Sequence, residues 1–213
     1  MIELDRLYKR YGEQELFHGR SFRFEEGITH VLFGASGSGK TTLLRLLMGL
    51  TEPDHGSIRG LEGKRISAVF QENRLCESLT VSRNIRSPLP RGSREERQRL
   101  LRRIETALRE LGMPGTAGQR VSTLSGGMKR RTAILRALFC PAEIYIFDEA
   151  CQGLDGENKR RVMERILRTT CGRTVFWVTH DREELLYFPD ARCWELGDSS
   201  ISFAKNEENP CNV

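Results

Sequence analysis

The sequence predicts an α/β fold carrying an inserted helical lobe. Three observations point to it. Short apolar runs alternate with helical patterns along most of the chain. A glycine-rich segment, GASGSGKT (34–41), sits between one such run and an amphipathic pattern. Residues 71–123 hold helix signals but no obvious strand. At 213 residues one domain is expected, long enough for a real core.

Residues 2–8 alternate apolar and polar, as does SFRFE near residue 22, and both suit half-buried strands. ITHVLF (28–33) is richer in apolar residues and suits a buried strand. Residues 40–48 suit a helix ended by Gly49, and EPDHG (52–56) carries turn chemistry. ISAVF (66–70) reads as a strand. In the lobe, Ser93 and Glu96 have capping-box spacing, and Leu100, Ile104, Ala107, Leu108 and Leu111 follow on one helical face. A further helix opens at LSGG (124–127). Then come a strand at EIYIFD (143–148), a helix over 157–169, a strand at TVFWVT (174–179) and a short helix from Asp181. Strands follow at 191–196 and 200–203, and the polar tail KNEENPCNV is expected to fray.

Hydrophobic residues make up 38% of the chain and charged residues 30%, a soluble globular balance. The net charge of +5 fits an anionic ligand or an acidic partner surface, but it is too mild to argue for nucleic acid. The N-terminus is charged from residue 3 and has no signal-peptide core. The most apolar run, TTLLRLLMGL (41–50), is too short to span a membrane and contains Arg45. Any membrane role must therefore come through another chain. Six cysteines show neither a C-x-x-C pair nor metal-ligand spacing, so reduced thiols in a cytoplasmic protein are expected.

GASGSGKT fits the phosphate-binding pattern G-x-x-x-x-G-K-[ST]. Gly34, Gly37 and Gly39 let the backbone curl, so that N–H groups through Ala35, Ser36 and Ser38 face phosphate oxygens. The helix that follows adds its positive end. Lys40 would reach the β- and γ-phosphates, the Thr41 hydroxyl would coordinate Mg²⁺, and Thr42 would support the phosphate contacts. EIYIFDE ends an apolar strand in Asp148, placed to hold Mg²⁺ through water, and Glu149, able to orient or deprotonate a water. Gln71 directly follows ISAVF and can touch both Mg²⁺ and that water. His180 lies just beyond TVFWVT; a lone histidine is ordinarily structural, but at the carboxyl end of a core strand it could bond a γ-phosphate. Tyr11, in KRYGEQ, could stack on adenine, where the plainer reading is a packed tyrosine. LSGGMKRR poses a puzzle, because Lys129, Arg130 and Arg131 crowd the positive end of a helix.

Taken in order, KRYG, GASGSGKT, FQEN, LSGGM, IYIFDE, GLD and VTHD resemble the nucleotide-binding subunit of an ABC transporter over nearly the whole chain. The GMK-R stretch and VFQENRLCESLTVSRNI are most similar to the nitrate, taurine and aliphatic sulfonate importers. The resemblance implies a P-loop NTPase of ABC type with a small antiparallel β region. It implies one domain over 1–213, with the core at about 1–71 and 139–213 and the helical lobe at about 72–138. It further implies a head-to-tail dimer in which Ser125, Gly126 and Gly127 bind the γ-phosphate of the partner's ATP. That anion would relieve the crowding of cations. Asp155, in GLD, would lie at the dimer interface. Two transmembrane permease subunits would hold the pair at the cytoplasmic face of the membrane, and a separate solute-binding protein would deliver substrate. A groove beside Gln71 would take a short permease helix. Leu75, Leu79 and Val81 would line it or else fill the lobe core. The family usually has Gln where this chain has Met128, and proline where it has Ala150, a change expected to loosen the turn. Rival readings are an export ATPase, a soluble non-transport ABC ATPase and a binding-only pseudo-ATPase. The short gap between P-loop and signature and the single ATPase segment weigh against the second; Glu149 and His180 weigh against the third.

Overall fold

A computed structural model describes residues 1–196 and the backbone of residues 201–204. The tail KNEENPCNV, with Cys211, lies outside the described residues, as does position 200. The chain divides into two compact units.

The first unit comprises Met1–Ile66, Ala142–Asp148 and Gly172–Val213. Strands β1 (Ile2–Tyr11), β2 (Gln14–Phe24) and β4 (His55–Arg59) form an antiparallel sheet in the order β2-β1-β4. Strands β3 (Thr29–Phe33), β6 (Ile144–Asp148), β7 (Thr174–Val178), β8 (Arg192–Leu196) and β9 (Ile201–Ala204) lie in the order β6-β7-β3-β8-β9. The β6, β7, β3 and β8 neighbours run parallel, and β9 pairs antiparallel to β8. β6 and β7 are buried along their whole length, which is why their sequences are apolar runs rather than alternations. The α/β class and the antiparallel region expected from the sequence are both present. An aromatic cluster of Phe24, His30, Phe176 and Trp194 packs edge-on and stacked, with ring centroids 4.8–5.9 Å apart.

Parallel register decides where the chemistry can sit. Leu32 and Asp148 each pair with Val178, so β3, β7 and β6 end level. The glycine-rich segment leaves β3, Asp148 closes β6 and His180 follows β7, all at one edge of the sheet. Ligands of open α/β sheets bind at that carboxyl edge.

β4 corrects the sequence reading, which extends turn chemistry to residue 56. The strand starts at His55, and Ile58 is its lone aliphatic residue, so no periodicity announces it. Backbone pairing with β1 makes it a strand: Leu4 faces Ile58 and Glu3 faces Arg59. Gly56 allows the close approach, since a Cβ there would stand 2.4 Å from the Arg6 carbonyl oxygen.

The second unit comprises Ser67–Pro141 and Glu149–Cys171. It holds most of β5 (Ile66–Val69) and the helices α2 (Val81–Arg86), α3 (Arg94–Glu110), α4 (Gly126–Phe139) and α5 (Gly156–Thr170). The sequence reading puts α5 with the core strands; by contacts it groups with the helices. The capping box on α3 is formed: Glu96 N donates to Ser93 Oγ at 3.2 Å, and Ser93 N donates to Glu96 Oε2 at 2.7 Å. Ile104, Ala107, Leu108 and Leu111 are buried, each large aliphatic contributing about 1.5–3 kcal/mol.

α2 has no counterpart in the sequence reading, because at six residues it is too short to show a helical period. Side-chain bonds build it instead. Thr80 caps it by accepting from Arg83 N at 3.3 Å, and buried Asn84 donates to the Cys76 and Thr80 carbonyls while accepting from Cys76 N. Val81, its first residue, is fully buried. That removes Val81 from any groove lining and makes it core. Leu79 lines an open groove of about 980 Å³ with Arg83, Arg86, Leu89, Leu100 and Pro141; neither Gln71 nor Leu75 lines it, so it is not the groove expected beside Gln71.

Candidate active site

In the first unit the glycine-rich segment wraps the Lys40 ammonium. Gly34, Gly37 and Gly39 have φ of 142°, 83° and 94°, in the range that disfavours side chains. Gly34 also has no space for one: a Cβ would meet the Leu196 carbonyl oxygen at 2.3 Å. Lys40, almost fully buried, donates to the Gly34 and Ala35 carbonyls at 2.7 and 2.8 Å and to Ser38 Oγ at 3.4 Å. Ala35, Ser36 and Gly37 are exposed around it. Helix α1 (Lys40–Leu47) begins here, with Gly39 at its N-cap and no side chain capping it. Its first N–H groups are the kind an anion satisfies.

Thr41 is the exposed first-turn residue of α1, and its Oγ1 donates to Asp148 Oδ2 at 3.4 Å. Asp148 is buried, and so is Thr42, the residue after Thr41. A hydroxyl and one carboxylate are hard oxygen donors of the number Mg²⁺ takes from protein when phosphates and waters supply the rest. The donor set therefore fits that ion, and the buried lysine in a glycine cradle fits a phosphate chain. His180 is exposed at the same sheet edge. Tyr11 ends β1 with 44% of its surface exposed, and Lys9 Nζ stands 5.4 Å from its ring centroid.

In the second unit the two groups able to handle water are joined. Gln71 Nε2 donates to Glu149 Oε2 at 3.3 Å. Glu149 has a φ of 50°, a conformation costing a non-glycine residue about 1–3 kcal/mol that surrounding contacts must offset. Ser125 caps α4 by accepting from Met128 N at 3.3 Å, and Ser125 and Gly126 are exposed at the helix start. Asp155 caps α5 through Asn158 N, at 2.9 Å.

The crowded cations of LSGGMKRR find partners inside the chain, which corrects the expectation that an incoming anion relieves them. Lys129 pairs with Glu77 at 2.7 Å. Arg130 binds backbone carbonyls of residues 70, 71, 149 and 150. Arg131 donates to the Gly127 and Leu111 carbonyls and to Asn158 Oδ1, and burial lowers its pKa from the usual arginine value. In the turn after Glu149, the Ala150 carbonyl accepts from Arg130 Nε at 2.7 Å. The sequence reading gave Arg130 and Arg131 no such work. Two adjacent arginines leading into the apolar run of α4 were the available signal.

A family model described as ABC transporter matches residues 17–152. The chain is 35% identical over 201 residues to a sulfate/thiosulfate import ATP-binding protein of Chromobacterium violaceum, covering 89% of this chain and 54% of that protein. It is 32% identical over 185 residues to an aliphatic sulfonates import ATP-binding protein of Pseudomonas syringae, covering 86% and 75%. The chain thus spans little more than half the length of the sulfate/thiosulfate relative and three quarters of the sulfonate one. Among solved structures, it matches the dimeric post-hydrolysis state of the ATP-binding cassette MJ0796 bound to ADP and Pi. The TM-score is 0.79 at 26% identity, over 95% of this chain and 97% of that one. The chain belongs to the ABC transporter family, among relatives that are import ATP-binding proteins and include the one for aliphatic sulfonates.

Proposed function

We propose that this chain binds and hydrolyses ATP to power a membrane ABC importer of a small anion or related nutrient. The observation that carries the reading is the cradled Lys40 beside the Thr41–Asp148 pair at the carboxyl edge of the sheet. The import relatives support the direction.

Lys40 exchanges its loop carbonyls for β- and γ-phosphate oxygens, and the N–H groups of residues 34–42 take the remaining phosphate charge. Thr41, Asp148 and Gln71 would hold Mg²⁺, which supplies neutralisation of charge on the phosphates. Glu149 accepts a proton from the attacking water, and Gln71 fixes the carboxylate that does so. His180 donates to the γ-phosphate and Tyr11 stacks on the adenine. Ser125, Gly126 and Gly127 serve the ATP of a second copy, so the working unit is a dimer, or a pseudo-dimer with a similar chain. Residues 1–213 act as one ABC-type domain with a core at about 1–71 and 139–213 and a lobe at about 72–138. Among the described residues no helix is long and apolar enough to cross a membrane. Attachment to the cytoplasmic face runs through two permease subunits, whose short helix occupies a groove beside Gln71. A solute-binding protein delivers the substrate.

Glu149→Gln tests the core of this reading. Expected are retained ATP binding, near-complete loss of turnover, and an ATP-bound dimer on gel filtration. Steady-state hydrolysis close to wild type would remove Glu149 from its role.

A further inference from the structure

Arg130 is almost fully buried, and its guanidinium meets two pairs of consecutive carbonyls. Nη1 donates to the Phe70 and Gln71 oxygens at 2.5 and 3.0 Å and to Asn73 Oδ1 at 3.4 Å. Nε donates to Ala150 O at 2.7 Å, and Nη2 donates to Glu149 O. Consecutive carbonyls in extended chain point to opposite sides. At 149–150 they point together, at a residue whose φ is 50°. Arg136, six residues along α4, adds bonds to the Arg74 and Asn73 carbonyls at 2.7 and 3.2 Å. The loop after β5 is thus tied to α4, and only Arg130 among these arginines also holds the Glu149 turn.

We propose that Arg130 is a positioning residue: one rigid guanidinium fixes the backbones of Gln71 and Glu149 together and thereby sets the carboxylate that receives the water's proton. This rests on the functional reading of Glu149. A planar fork can bridge two loops at a set spacing, whereas a lysine ammonium is a point donor on a flexible stem. Arg130→Lys keeps the charge and loses the bridge.

The test uses the purified full chain. In Arg130→Lys, kcat for ATP hydrolysis falls roughly 10- to 100-fold, as expected for a misplaced base, while KM and the binding of a fluorescent ATP analogue stay within about threefold. Adding Arg130→Lys to Glu149→Gln costs little further turnover, because the group it positions is already gone. A readout without nucleotide comes from the Gln71 side-chain amide in ¹⁵N-labelled protein. Its signal shifts on Glu149→Gln in the Arg130 background and ceases to respond in the Lys background. Unchanged kcat, an additive double variant, or an amide that still senses Glu149 overturns the proposal. So does loss of turnover that only tracks loss of folded protein in thermal unfolding, including outright failure to fold, which makes Arg130 purely structural. If Glu149→Gln alone hydrolyses at the wild-type rate, the functional reading has failed, and the positioning role falls with it.

Discussion

Gln71 and Glu149 are joined by a hydrogen bond of 3.3 Å, although 78 positions separate them in the chain. The donor is a neutral amide and the acceptor is one oxygen of the carboxylate. Gln71→Ala removes this donor and with it the bond that orients Glu149 Oε2. Turnover is expected to fall about tenfold or more, with ATP affinity changed far less. Steady-state kinetics set beside equilibrium binding checks this. Equal losses in both would place Gln71 in binding rather than in orienting the base.

The glycine cradle makes a graded prediction. At Gly34 a Cβ would meet Leu196 O at 2.3 Å and Ser38 Oγ at 2.6 Å. At Gly37 the nearest neighbour of an added Cβ is the Gln14 amide nitrogen at 4.0 Å, so only φ opposes a side chain. Gly34→Ala should therefore abolish nucleotide binding and destabilise the protein by several kcal/mol, against about 1 kcal/mol for Gly37→Ala. Thermal unfolding and a nucleotide-binding assay on both variants decide. Similar behaviour of the two would show that strand β8 does not confine the cradle.

Much of this arrangement is legible in the sequence. Strands β3, β6 and β7 are apolar runs because they are buried on both faces. The chemistry is pinned to their ends by motif: Lys40, Asp148, Glu149 and His180 follow directly. What escapes is structure made by partners instead of periodicity. β4 exists because β1 pairs with it, and α2 because Thr80 and Asn84 bond its backbone. Arg130 escapes for a related reason: its acceptors are backbone carbonyls, which carry no side-chain signature.

His30 predicts a pH dependence. It is fully buried, donates through Nε2 to the Glu25 carbonyl at 2.8 Å and accepts at Nδ1 from Trp194 Nε1 at 3.1 Å, which fixes the neutral ring. Burial, with Arg192 nearby, lowers its pKa from 6.5 to about 4, against the opposing pull of the Glu25 carbonyl and carboxylate. Between those values the unfolded chain holds the proton and the folded one does not. Stability is therefore intact above pH 6.5 and is lost as pH falls towards 4, by up to about 3 kcal/mol. Denaturant unfolding of the wild type and His30→Gln across that window isolates the contribution. Parallel curves would mean that the histidine titrates alike in both states.

The signature residues make the sharpest test of the dimer. Ser125 and Gly126 are exposed at the start of α4, and the cations behind them are already satisfied by Glu77 and by carbonyls. An anion reaching Ser125 thus meets N–H groups and a hydroxyl rather than free cations. If the signature serves the partner's ATP, each site is composite. Lys40→Ala spoils the P-loop and keeps its signature; Ser125→Arg does the reverse. Neither homodimer has an intact site. A mixed dimer has one, formed by the P-loop of the Ser125→Arg chain and the signature of the Lys40→Ala chain, while its other site carries both lesions. Mixing two inactive proteins should restore activity up to about one site's worth. If hydrolysis needs two working sites, photo-crosslinking of an ATP analogue across chains still reports the intact one. Tagged chains establish first that subunits exchange. With mixed dimers in hand, neither activity nor cross-chain labelling would mean that the signature acts on ATP of its own chain or on none.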